Sequence, residues 1–75
     1  MFVPDKTLDV QKIGGLRVRT IALRTLQLMQ RGQVLKLITT EKDVKRGIAE
    51  LCHEEGYILL EEVLDGSRYS LLIRR

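Results

Sequence analysis

The stretch LRVRTIALRTLQLMQRGQVLKLIT, residues 16–39, changes its hydrophobic period partway along. From Leu16 to Arg31 the apolar spacing is helical. At 100° per residue, Val18, Ile21, Ala22, Leu26, Leu28 and Met29 fall within about half the circumference, with Arg24, Gln27 and Arg31 opposite. Gly32 supplies the left-handed position at which helices stop. Beyond it, QVLKLIT (33–39) is leucine-rich and β-branched, as a strand is. One helix therefore feeds one strand through a glycine, and the fold is built outward from that unit.

Upstream, KTLDV (6–10) alternates with Leu8 and Val10 on one side, a short first strand. QKIGG breaks the pattern, and Gly14-Gly15 favours a loop. Downstream, TTEKDVKRGIAELCHEEG (39–56) is a second helix. Thr40 and Asp43 have the spacing of a capping pair. Val44, Ile48, Leu51 and Cys52 share one face, and Gly56 is the stop. Gly47 lies inside the helix, where glycine costs about 1 kcal/mol relative to alanine, so close packing on a sheet is its expected role. YILLEEVLD (57–65) is a third strand, Asp65-Gly66 a hairpin signal, and SRYSLLIRR (67–75) a fourth strand with Tyr69, Leu71 and Ile73 facing inward. The predicted fold is a single α/β (α+β) domain over residues 1–75. Its order is β-α-β-α-β-β, a two-layer sandwich with two helices on one face of a four-stranded mixed sheet. The other face then carries some apolar surface, open to a protein partner or to a weak homodimer; otherwise the chain is a monomer.

Composition narrows the function classes. The chain has 75 residues, one cysteine and one histidine. A lone cysteine excludes an internal disulfide, and no signal peptide or membrane-length apolar run is present, so a cytoplasmic location is expected. Cys52 and His53 are too few, and face too differently, for a metal site; neither metal nor cofactor is expected. Charge is asymmetric. Residues 11–40 hold Lys12, Arg17, Arg19, Arg24, Arg31 and Lys36 without an acid, whereas residues 50–65 hold Glu50, Glu54, Glu55, Glu61, Glu62 and Asp65 without a lysine or arginine. Such a field steers an anionic partner to the basic side.

Four segments resemble the TusA/SirA-like family of small sulfur carriers, in order and at matching distances. They are PDKTLD (4–9), RTLQLMQRGQVLKLI (24–38), the pair Ile48 and Cys52, and DGSRYSLLIRR (65–75). That family has the same element order. Its motif, Asp-x-x-Gly-x-x-Cys-Pro-x-Pro, carries sulfur on a cysteine at the start of the first helix. A gapless register from Asp9 sets Lys12 at the motif glycine, Gly15 at the cysteine, and Leu16 and Val18 at the prolines. The alternative register through GLR (15–17) sets Val18 and Arg19 at the Cys-Pro pair. Neither supplies the cysteine or a proline, so the resemblance implies the fold and withholds the nucleophile.

The resemblance implies a non-catalytic protein-binding or adaptor module, with a sulfur-relay enzyme as the partner class. Its surface would be Lys12, Gly14, Gly15, Arg17, Arg19, Arg24 and Arg31, around the first helix. The same residues suit an anion at the helix start. Two alternatives stand beside it. One is sulfur transfer through Cys52. The other is RNA binding through the basic first helix with Lys45 and Arg46, where Phe2, Tyr57 and Tyr69 are the residues able to stack on bases.

Overall fold

The computed structural model describes residues 2–75. Its elements run β1 (Lys6–Asp9), α1 (Gly15–Leu28), β2 (Val34–Thr39), α2 (Lys42–Glu55), β3 (Ile58–Asp65) and β4 (Arg68–Arg74). The four strands form one mixed sheet in the order β1-β2-β4-β3. β1 and β2 are parallel; β2 with β4 and β4 with β3 are antiparallel. This is the two-layer sandwich that the period changes predict.

One sheet face holds the core. Leu35, Leu37, Leu71 and Ile73 project from β2 and β4 and meet Val18, Ala22 and Leu26 of α1 and Val44, Ile48, Leu51 and Cys52 of α2. Val10 joins them just after β1, its N–H donating to the Ile38 carbonyl at 2.9 Å. Asp5 anchors the other end of β1. Its N–H donates to the Val34 carbonyl, and its carboxylate accepts the Val34 N–H at 2.8 Å. Thr39 is the one buried polar residue of the core, and its hydroxyl accepts the Glu41 N–H at 3.2 Å.

Several local expectations are corrected. α1 ends at Leu28, before Gly32. Met29 is extended (φ −79°, ψ 158°), and its N–H is shared between the Thr25 and Leu26 carbonyls. Gly32 does take positive φ, but in the following turn, which the Gln33 N–H closes onto the Gln30 carbonyl. The Arg75 guanidinium donates to the Met29 carbonyl, giving the helix end a positive charge from a distant strand. Leu28 is exposed, because it lies about 160° around the helix from Leu26. Leu23 packs against the core instead. The hairpin loop is Gly66-Ser67, since Asp65 pairs with Arg68. Gly66 has positive φ at the first loop position, as a type II′ turn requires.

α2 begins one residue later than a Thr40 cap would place it. Glu41 is the N-cap residue and makes no side-chain cap bond; its own amide donates to the Thr39 hydroxyl. Asp43 stays in the first turn, where the dipole favours a carboxylate. Gly56 ends the helix in the left-handed conformation, as expected. Gly47 does not serve close packing: a Cβ built there has no heavy atom within 4 Å. Gly47→Ala therefore gains helix propensity at no steric cost. We expect it to stabilise the domain by about 0.5–1 kcal/mol, read as a rise of several degrees in the thermal midpoint.

Candidate functional site

The β1–α1 connection shapes the site. Asp9 accepts the Gln11 amide and the Gln11 side chain, which turns the chain away from the sheet. Gly14 is the N-cap residue of α1 with extended angles, and its carbonyl accepts the Val18 N–H at 3.0 Å. No side chain caps this end and its first turn holds no acid. The amides of Gly15, Leu16 and Arg17 have no acceptor among the described residues. A Cβ on Gly15 would meet nothing within 4 Å. Gly15 thus stands in the first helical turn, facing open space.

Beside it runs a shallow cleft of about 310 Å³ between the start of α1 and α2, lined by Gly15, Leu16, Arg19, Asp43, Gly47 and Glu50 among others. Both glycines widen it. Leu16 is the most exposed large apolar residue among the described residues, at 86%. Its exposure was not legible in the sequence: Leu16 opens a run that reads as amphipathic, and only the helix phase turns it outward.

The basic residues separate into three groups. Arg17 and Arg24 are exposed on the outer face of α1, with Leu16 at one end and Leu28, 81% exposed, at the other. No acid occurs within α1. Lys12 lines a separate hollow with Asp9, Gln11 and Ile13, before the helix. Arg31 follows the far end of α1, about 20 Å from Gly15 along a helix of this length. Arg19 stands apart from all three. It turns to α2, where its guanidinium donates to Glu54 at 2.7 Å and to the Gly47 carbonyl at 3.4 Å. That bond to Glu54 raises the already high Arg19 pKa. Arg19 is a link between helices and drops out of the binding set. The full set therefore does not converge on one anion.

Cys52 is 2% exposed and packs in the core. Burial pushes its thiol up to about 11, so almost none is thiolate near neutrality. This removes the physical basis for sulfur transfer through Cys52. The stacking residues are also dispersed. Tyr69 is buried under Lys45, whose ammonium lies 5.1 Å from the ring centroid and 2.7 Å from Glu62. Tyr57 packs against the core, and Phe2 lies in the segment before β1. With Lys45 engaged by Glu62 and Tyr69 buried beneath it, the described residues form no exposed basic–aromatic platform for bases.

Among the described residues, no cluster of three or more His, Cys, Asp or Glu side chains has metal-site geometry, and no helix is long and apolar enough to cross a membrane. No family model matches this chain, and no curated protein matches it.

Proposed function

We propose that this chain is a TusA/SirA-like domain without the sulfur-carrying residue, which acts as a non-catalytic adaptor by binding a protein through the outer face of α1. The observation that carries the reading is that face itself. Leu16 and Leu28 are both over four-fifths exposed and bracket Arg17 and Arg24 on a helix without acids. Exposed leucines beside arginine suit a protein contact, in which the leucines are desolvated and the arginines set register against carboxylates. Gly15 supports the non-catalytic half of the reading: at the position where the family motif has its cysteine, this chain has no side chain. A sulfur-relay enzyme is the partner class implied by the resemblance.

Titration of the labelled chain with a cysteine desulfurase, followed by amide chemical shifts, tests this reading. Shifts are expected along residues 15–28. Leu16→Asp and Arg17→Glu should each weaken binding about tenfold or more, as loss of an anchor does. Unperturbed shifts on α1 at saturating enzyme would sink the sulfur-relay assignment.

A further inference from the structure

We propose that the sheet face opposite the helices is a self-interface, on which a second copy of this chain docks across a two-fold axis parallel to β4. The strand register defines that face. Leu71 and Ile73 point to the helices, so Ser70, Leu72 and Arg74 point away, together with the residues paired to them. Three cross-strand rows result, read from β2 through β4 to β3. They are Val34–Arg74–Ile58, Lys36–Leu72–Glu61 and Ile38–Ser70–Val63. The bulge between Leu59 and Glu61 is what keeps both Ile58 and Glu61 on this side.

The middle row is opposite in charge at its two ends. Lys36 and Glu61 stand two strand spacings apart, roughly 10 Å, too far to pair within one protomer. Neither forms an ion pair among the described residues. A two-fold axis along β4 exchanges the β2 and β3 columns. It sets Lys36 over the partner's Glu61, and Glu61 over the partner's Lys36, with Leu72 on Leu72 between them. The same operation sets Val34 over the partner's Ile58 and Ile38 over the partner's Val63. Ile58 and Val63 are 46% and 44% exposed in one protomer and gain cover. Arg74 meets its own copy at the rim, where a long side chain can splay into water. The middle row is thus complementary to itself in charge and is flanked by matched apolar pairs, which selects a second copy over an unrelated occupant.

Three strands of this length present roughly 250 Å² in projection, well below the ~800 Å² per partner of a standard interface. The dimer is accordingly weak, forming between about 0.1 and 1 mM. Sedimentation velocity up to about 1 mM should show the weight-average mass rising toward twice that of the monomer. Lys36→Glu sets two glutamates against each other at both symmetry-related contacts, and Glu61→Lys does the same with lysines. Each should raise the dissociation constant at least about tenfold, and the double variant Lys36→Glu, Glu61→Lys should restore association. Circular dichroism and thermal midpoints establish that each variant is folded. A wild-type chain that stays monomeric at the top concentration leaves this face to another occupant and overturns the proposal. So does a dimer indifferent to both single reversals, or one that the double reversal fails to rescue. The face lies on the far side of the sheet from α1, so failure here leaves the α1 reading untouched, and the reverse.

Discussion

In a Gly15→Cys variant, iodoacetamide is expected to modify position 15 at least about 100-fold faster than Cys52 at pH 7. The thiol at position 15 would sit in the first turn of α1 with open space around it and three amides free of other acceptors. Those amides and the dipole favour the thiolate, so its pKa should fall at or below the free value near 8.5, which leaves about 1 in 30 molecules or more ionised. Cys52, held at about 11 by burial, is ionised in only about 1 in 10,000. Mass spectrometry of the alkylated peptides separates the two. Comparable rates would mean that the packing over Cys52 opens readily and would return the sulfur-transfer reading to contention. The same burial has a pH signature. A pKa raised by folding adds stability that is complete below the unfolded value near 9 and is lost as pH climbs through 11. Replacing Cys52 by alanine should remove that alkaline loss while lowering stability at neutral pH.

Leu71→Ala should cost about 2–5 kcal/mol, the largest loss expected of a single substitution here. Leu71 is fully buried in β4, paired with Leu37 on one side and Glu62 on the other, beneath both helices. Removing its side chain leaves a cavity between the sheet and the helix layer, which cannot close without shifting a helix toward a sheet held by ladders on both sides of β4. A 75-residue domain has a total stability of roughly 4–11 kcal/mol, so the loss runs from about a fifth of the total to all of it. Urea unfolding followed by circular dichroism should show a large drop in the midpoint with an unchanged slope. A loss under about 1 kcal/mol would mean that the sheet core is far more plastic than its packing indicates.

The fold was legible because its signals were redundant. Tyr69, Leu71 and Ile73 recur at every second position of β4, α2 carries four apolar residues on one stripe, and Gly56 occupies the left-handed position its sequence context asks for. The end of α1 was not legible. Leu28 and Met29 are both apolar and sequential, and what separates them is that the chain leaves the helix at Met29, which is buried while Leu28 faces out; Arg75, remote in sequence, donates to the Met29 carbonyl there. The start of α2 was not legible either: the helix is capped at Glu41, after Thr40, and no side chain caps it. At the candidate site, the glycine at the start of α1, which has no side chain to act as a nucleophile, could be read directly. The removal of Arg19 could not: its partner Glu54 lies on another helix, and only the packing of α1 against α2 brings the two together. The Lys36–Leu72–Glu61 row depends on register and bulge, neither of which a single strand discloses.

The position of β4 has a kinetic consequence. The strand that comes last in the sequence is an inner strand, between β2 and β3, and Val34 pairs with Arg74. No core-bearing half can therefore assemble first: β2 has no antiparallel neighbour until the chain closes a loop of that length, and the β3–β4 hairpin alone lacks the helices that cover it. The domain should fold and unfold as one cooperative unit. Amide hydrogens along the β2–β4 ladder should exchange only through global opening, at the same free energy as one another, while those at the start of α1 exchange freely.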